Sequence, residues 1–230
     1  MHMNQANPPQ TDLASWRTRL AALAASATGG DGAHDANHLE RVWRNAQALL
    51  ARHPEADALV VMSACYLHDL VNLPKDDPER AQASRRSARL ARHQLAWMNF
   101  PPERLDAVAH AIEAHSFSAN IPATSLEAQI VQDADRLDAL GAVGLARMFY
   151  TAGRMGSSLA HPTDPLGAAR ELDDRAYSLD HIVMKLGTLP GKMQTEGGRA
   201  IARERMALLD AFRTTFAQEW GTAPDALKSS

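Results

Sequence analysis

From Thr11 onward the apolar residues of this chain recur at three- and four-residue intervals, the period of a helix with one buried face. Leu13, Trp16, Leu20 and Leu23 form the first stripe; Ala24, Ala25 and Ala27 add helix propensity, and Gly29-Gly30 stops it. Asp35 is placed to cap a second helix reaching about Arg52, with Leu39, Val42, Trp43, Ala46 and Leu49 on its apolar face. Pro54 suits the opening of a third, ending near Leu70, followed by a loop over 71–78. A fourth helix is expected from about Pro78 to Ala96. A fifth opens at Pro101-Pro102 and buries Leu105, Val108 and Ile112. Thr124 or Ser125 caps a sixth carrying Leu126, Ile130 and Leu137, and Gly141 and Gly144 tighten the approach to a seventh ending near Gly153. Residues 154–169, rich in Gly and Pro, read as an ordered or semi-ordered loop, and the last helices as roughly 170–187 and 195–220. No segment alternates with period two, so the expected fold is all-α, without repeats or a clear domain break.

Composition narrows the class. The 230 residues are 45% hydrophobic and 22% charged, and no window approaches eighteen consecutive apolar residues, so no membrane span is expected. A net charge of −3 argues against non-specific nucleic-acid binding. The single cysteine, Cys65, excludes an intrachain disulfide and fits a reducing compartment; the start lacks the basic and apolar runs of a secretion signal, so the expected location is cytoplasmic. Residues 1–10 and 221–230 are expected to be tails around one domain over 11–220, with a metal-site core at 34–140. The tryptophans Trp16, Trp43, Trp97 and Trp220 fall on apolar stripes and read as core; Phe117 and Phe149-Tyr150 are better placed to stack on a base.

Histidine placement suggests chemistry. His38 lies in the first turn of the second helix, His68-Asp69 ends the third, and Asp135 sits in the sixth. The His-Asp pair interrupts an apolar stretch, Tyr66-Leu67 before and Leu70-Val71 after, where a charge needs a partner. Two neutral imidazoles and two carboxylates can hold a divalent cation, and the mix suits manganese, iron, cobalt, nickel, zinc or, less well, magnesium.

The segments His34-Asp35-Ala36-Asn37-His38, Leu67-His68-Asp69-Leu70 and Asp133-Ala134-Asp135-Arg136-Leu137 together resemble the HD-domain metal-dependent phosphohydrolases. The likeness extends through Val71-Asn72-Leu73-Pro74-Lys75 and Ala114-His115-Ser116-Phe117-Ser118, and is closest to a small bacterial branch that includes nucleoside triphosphate pyrophosphohydrolases. The resemblance implies an HD-domain helical bundle with additional C-terminal helices. It implies His38, His68, Asp69 and Asp135 as ligands of one divalent ion, manganese favoured. It also implies attack of a metal-activated water on a small phosphorylated substrate, with (deoxy)nucleoside triphosphates cleaved to monophosphate and pyrophosphate. Monoester hydrolysis of nucleoside monophosphates, or hydrolysis of an alarmone or cyclic nucleotide, are the alternatives within enzymes; a degenerate metal-binding sensor or interaction protein is the alternative outside them. Asn72-Leu73 stands where alarmone hydrolases carry Glu-Asp, which weighs against that substrate.

Around this set, Asp69, Lys75 and Arg41 are the candidate catalytic residues: Asp69 as ligand and hydrogen-bond acceptor for water, Lys75 from the following loop as a phosphate partner, and Arg41 either on substrate or, preferably, on Asp135 or Asp138. Asn72, Lys75, His115 and Lys192 are the candidate substrate contacts, Lys192 because it follows Pro190-Gly191 in a turn. His34 is placed to brace the loop into the second helix or to hydrogen-bond to a metal ligand. His93, His110 and His115 fall where some relatives bind a second metal, but their surroundings do not match that pattern. Whether the protein is a monomer or a dimer is left open.

Overall fold

The computed structural model describes residues 12–27, 36–73 and 77–221. Asp35, His34, Lys75 and, apart from Gly221, the two expected tails lie outside the described residues. The helices are α1 (Leu13–Ala27), α2 (Ala36–Leu50), α3 (Ala58–Leu67), α4 (Ala83–Trp97), α5 (Leu105–His115), α6 (Leu126–Asp138), α7 (Gly141–Arg154), α8 (Ser178–Met184), α9 (Leu189–Lys192) and α10 (Glu196–Glu219). Among the described residues the only extended pairing is an isolated bridge between Ser158 and Tyr177. The all-α expectation holds, including helices beyond the bundle core.

α3 is the spine. Every residue from Leu59 to Leu67 is buried, so the helix has no solvent face, and α1, α2, α5 and α6 pack around it. It starts at Ala58 rather than Pro54 because Asp57 is the cap: its carboxylate accepts from the Leu59 and Val60 amides at 3.0 and 3.3 Å and is itself held by Arg104 Nε at 2.5 Å. It ends at Leu67, three residues short of the expected Leu70, and His68 and Asp69 follow in a turn. In α2 the stripe Leu39, Val42, Trp43, Ala46 and Leu49 is buried as its spacing predicts, facing α6 and α3.

α10 is fastened to α6 by a buried carboxylate. Asp133 accepts from the backbone amides of Gln194 and Thr195 and from the Thr195 hydroxyl, each at 2.8 Å, and that hydroxyl in turn caps the helix by accepting from Gly198 N at 2.9 Å. A Cβ on Gly198 would lie 2.3 Å from Asp133 Oδ2, so only glycine admits this approach. Arg205 adds a second tie, donating to Leu137 O at 2.6 Å and Asn45 Oδ1 at 2.7 Å.

The stretch expected to be helical from about residue 170 is not; α8 begins only at Ser178. Asp180 is the reason. Its buried carboxylate receives both terminal nitrogens of Arg170, at 2.6 and 2.8 Å, and the Asp173 amide at 2.8 Å, folding 170–177 back as ordered loop. Upstream, Asp164 accepts from the Ala168 and Ala169 amides at 2.9 Å each, so the loop is ordered throughout by side chain–backbone bonds. Pro190-Gly191 sits within the short helical turn α9 rather than an open turn. Trp97 is 82% exposed at the end of α4, against the core expectation, whereas Trp43 is buried. Phe149 packs against Phe212 and Phe216 within the protein instead of standing free to stack.

Candidate functional site

His38 and His68 meet where α2 begins and α3 ends. Both are buried, and each has its Nδ1 on an acceptor: His38 on Asp138 Oδ2 at 2.8 Å, His68 on the Cys65 carbonyl at 2.9 Å. Neither partner can donate, so the partners assign both protons to Nδ1, and both Nε2 atoms present lone pairs. Those two Nε2 atoms are 3.3 Å apart. Asp69 Oδ2 lies 3.9 Å from His38 Nε2 and 3.5 Å from His68 Nε2; Asp135 Oδ1 lies 3.6 and 3.8 Å from the same atoms. Two facing lone pairs and two converging carboxylates repel one another unless a cation lies among them.

The donor set therefore fits a divalent ion on its own chemistry, and the ligating atoms of His38, His68 and Asp69 all lie within 4.8 Å of one another. The same field acts on His68. Burial lowers its affinity for a proton, yet Asp69 and Asp135 outweigh that and raise its pKa above the ordinary imidazole value.

Behind His38 stands an anchor that is almost fully buried. Asp138 accepts from Arg41 Nε at 2.7 Å and Arg41 Nη2 at 3.1 Å, and from Arg147, besides His38. Burial alone would raise its pKa; the hydrogen bonds from His38 and Arg41 and the charge of Arg147 hold the carboxyl well below the usual range. Of the two roles considered for Arg41, the geometry displays carboxylate pairing, with Asp138. On the other side of α2, Tyr66 donates to Glu40 at 2.6 Å while Arg17 binds both, at 3.0 and 2.7 Å, tying α1, α2 and α3 together one turn from the site. Burial and Glu40 push the Tyr66 phenol up to about 12.

Asp69 also borders a small open cleft whose walls include Asn72, Arg80, Ser84, His115 and Ser116. His115 closes the inner end: its Nδ1 donates to Ile112 O at 2.6 Å, its ring edge meets His68 at 4.8 Å between centroids, and its Nε2 is 3.7 Å from Asp69 Oδ1. Burial, with His68 beside it, pulls its pKa below the ordinary value.

A family model described as "HD domain" matches residues 35–140, the span that holds all four converging side chains. YpgQ of Bacillus subtilis, an uncharacterised protein, is 33% identical over 194 residues, covering 82% of this chain and 84% of YpgQ. The chain belongs to the HD-domain family. Among solved structures of similar proteins, that of YpgQ in complex with ADP superposes with a TM-score of 0.69 at 29% identity, covering 90% of this chain and 95% of the other. An HD-superfamily hydrolase from Bacillus thuringiensis gives 0.71 at 26%, covering 91% and 99%. This HD-domain protein thus carries the HD-superfamily hydrolase fold.

Of the residues singled out from sequence, His38, His68, Asp69 and Asp135 converge, and His115 and Asn72 line the adjoining cleft. Lys192 lies outside that lining: its ammonium sits 4.9 Å from the exposed Phe117 ring, and its carbonyl accepts from Arg136 at 2.5 Å. His110 Nε2 accepts from the Thr124 amide and meets the Thr124 hydroxyl at 2.9 Å, and His93 is exposed on α4, so of those three histidines only His115 reaches the site. Two features escaped the sequence reading. Arg147 was not named as a partner of Asp138, although Asp138 shares a helix face with Asp135 three residues away. Arg80 and Ser84, four residues apart, fall inside the expected fourth helix with nothing in the sequence to single them out.

Among the described residues, no helix is long and apolar enough to cross a membrane.

Proposed function

We propose that this protein is a divalent-metal-dependent nucleotide phosphohydrolase that releases pyrophosphate from (deoxy)nucleoside triphosphates. The observation that carries the reading is the pair of imidazole Nε2 atoms fixed 3.3 Å apart by their own Nδ1 partners, with Asp69 and Asp135 closing on the same point. A divalent ion held there, manganese favoured, supplies an acidified water and a Lewis acid for a phosphoryl oxygen.

The protein's own groups do the positioning. Asp69 has one carboxylate oxygen toward the histidines and the other toward His115 and the cleft. His115, its Nδ1 proton given to Ile112 O, offers a lone pair at Nε2. A water between Asp69 Oδ1 and His115 Nε2 therefore finds two acceptors and turns its own lone pair away from both, toward the centre of the cluster. That orients a nucleophile at the inner end of the cleft, whose polar walls receive a phosphate chain. A small soluble nucleotide is favoured over nucleic acid by the net charge of −3, and a nucleotide in general by the ADP complex of YpgQ.

A nucleotide screen with manganese, cobalt, nickel and magnesium, reading phosphate and pyrophosphate separately by phosphorus NMR, tests this. The expected result is stoichiometric pyrophosphate and monophosphate from triphosphates, abolished by chelation. Orthophosphate as the sole product would replace the reading with a monoesterase. Inactivity with every metal across a broad phosphate-ester panel would replace it with a metal-binding sensor.

A further inference from the structure

Ser84 is out of place for a structural residue. It is 2% exposed, yet its hydroxyl has no hydrogen-bond partner among the described residues. An unmet buried hydroxyl costs about 1–3 kcal/mol and calls for an explanation. Ser84 is one of the residues that line the cleft beginning at Asp69. Arg80, one turn earlier, borders the same cleft, its guanidinium steadied by donation to the Leu73 carbonyl. The opposite rim carries Ser116 and Ser118, their hydroxyls 3.1 Å apart, and Asn72 completes the outer wall. Hydroxyls, an amide and a guanidinium suit phosphate oxygens, and among the described residues no Phe, Tyr or Trp lines the space to receive a base. Among the described residues Asp69 is the one acidic group in the lining, and it sits at the inner end, by the candidate metal ligands.

We infer that this cleft is a pyrophosphate subsite, binding the phosphoryl groups beyond the bond that is cleaved, with the Ser84 hydroxyl and the Arg80 guanidinium as its anchors. The inference rests on the phosphohydrolase reading for its reaction, but not for its ligand. It assigns Ser84 and Arg80 as the residues that separate substrates with a polyphosphate tail from simple monoesters.

The test uses the full chain with magnesium, and Ser84→Ala, Arg80→Gln and Ser63→Ala. Ser63 is a second buried, unpartnered hydroxyl, in α3, away from the cleft lining. Inorganic pyrophosphate and orthophosphate binding are read by calorimetry, melting temperature by scanning calorimetry, and kcat and KM on a triphosphate and a monoester. Ser84→Ala should melt no lower than the wild type, because it removes no bond within the fold and relieves an unmet buried hydroxyl. It should also bind pyrophosphate about tenfold more weakly, the loss of one hydrogen bond to a charged group. Arg80→Gln should lose at least as much, and Ser63→Ala nothing. The triphosphate KM should rise in the first two variants while monoester kinetics stay near wild type.

Unchanged pyrophosphate affinity in Ser84→Ala, or an equal loss in Ser63→Ala, overturns the subsite. If the wild type then still hydrolyses triphosphates, only the subsite has failed. If the wild type binds pyrophosphate through Ser84 yet hydrolyses no nucleotide, the subsite stands and the hydrolase reading falls.

Discussion

Asp138→Asn is the most informative single change, because the structure predicts two separable losses from it. The native carboxylate, 3% exposed, serves His38 Nδ1, two nitrogens of Arg41 and one of Arg147. An asparagine of the same shape has one acceptor oxygen, and its amide hydrogens point at donors wherever it turns. At least one charged donor loses its partner. Hydrogen bonds to charged groups are worth roughly 1.5–3 kcal/mol each. The two arginines, however, are 25% and 26% exposed, so water recovers part of the loss.

A net destabilisation of about 2–3 kcal/mol follows, or roughly 5–10 °C in Tm for a chain of this length. The second loss is at the metal ligands. Without a carboxylate on Nδ1, nothing fixes the His38 tautomer that presents Nε2, and removing such a partner lowers metal affinity about 10–100-fold. Thermal melts and calorimetric manganese titration read the two effects independently. The stability effect also has a pH signature. The folded-state carboxyl titrates below its unfolded value of about 3.9, so the wild-type advantage is full above that pH and fades as pH falls through the folded-state value. A variant with wild-type Tm and wild-type manganese affinity would refute the reasoning.

Three further outcomes are expected. Asp69→Asn should fold normally and lose at least about 100-fold in nucleotide turnover; a variant that keeps both its metal and full turnover removes Asp69 from the chemistry. Gly198→Ala should lower stability by about 1–3 kcal/mol, since the new methyl falls 2.3 Å from Asp133 Oδ2 and must unseat α10 from α6; urea unfolding checks it, and an unchanged midpoint contradicts the close approach. Asp57→Ala should cost about 1–2 kcal/mol through the lost α3 cap, visible in the same assay, and an unaltered midpoint there would mean that Asp57 is not the residue that starts the helix.

Much of this molecule could be read from its sequence where the signal is local. The apolar stripe of α2 lies in consecutive turns, and its residues are buried as spaced. The helix-ending His68-Asp69 pair stands out because it breaks an apolar run. What could not be read depends on distant partners. α3 starts at Asp57 rather than Pro54 because Arg104, on another element, fixes that carboxylate in capping position. Residues 170–177 have helix-compatible composition, but Asp180 draws Arg170 and the Asp173 amide toward itself, and Arg213 of α10 holds the Leu166 carbonyl at 2.5 Å. Ser84 is an ordinary helix serine in sequence; its missing hydrogen bond becomes visible only once burial is known.

The two sides of the site are built on different principles, and that difference should show in mutants. The histidine side hangs from α3, a helix without a solvent face, and from a carboxylate held by three cationic or donor side chains. Substitutions there disturb packing and ion pairs at once, so loss of function and loss of stability should travel together. The cleft side is lined by residues of loops and of the start of α4, and its polar groups are not fully consumed by the fold. Ser84 shows this most directly, since its hydroxyl serves no internal bond. Removing the Ser84 hydroxyl from that wall should change affinity without lowering Tm. A site that must grip one ion but exchange a substrate at every turnover needs this division: rigidity where the ligand stays, and unsatisfied donors where it comes and goes.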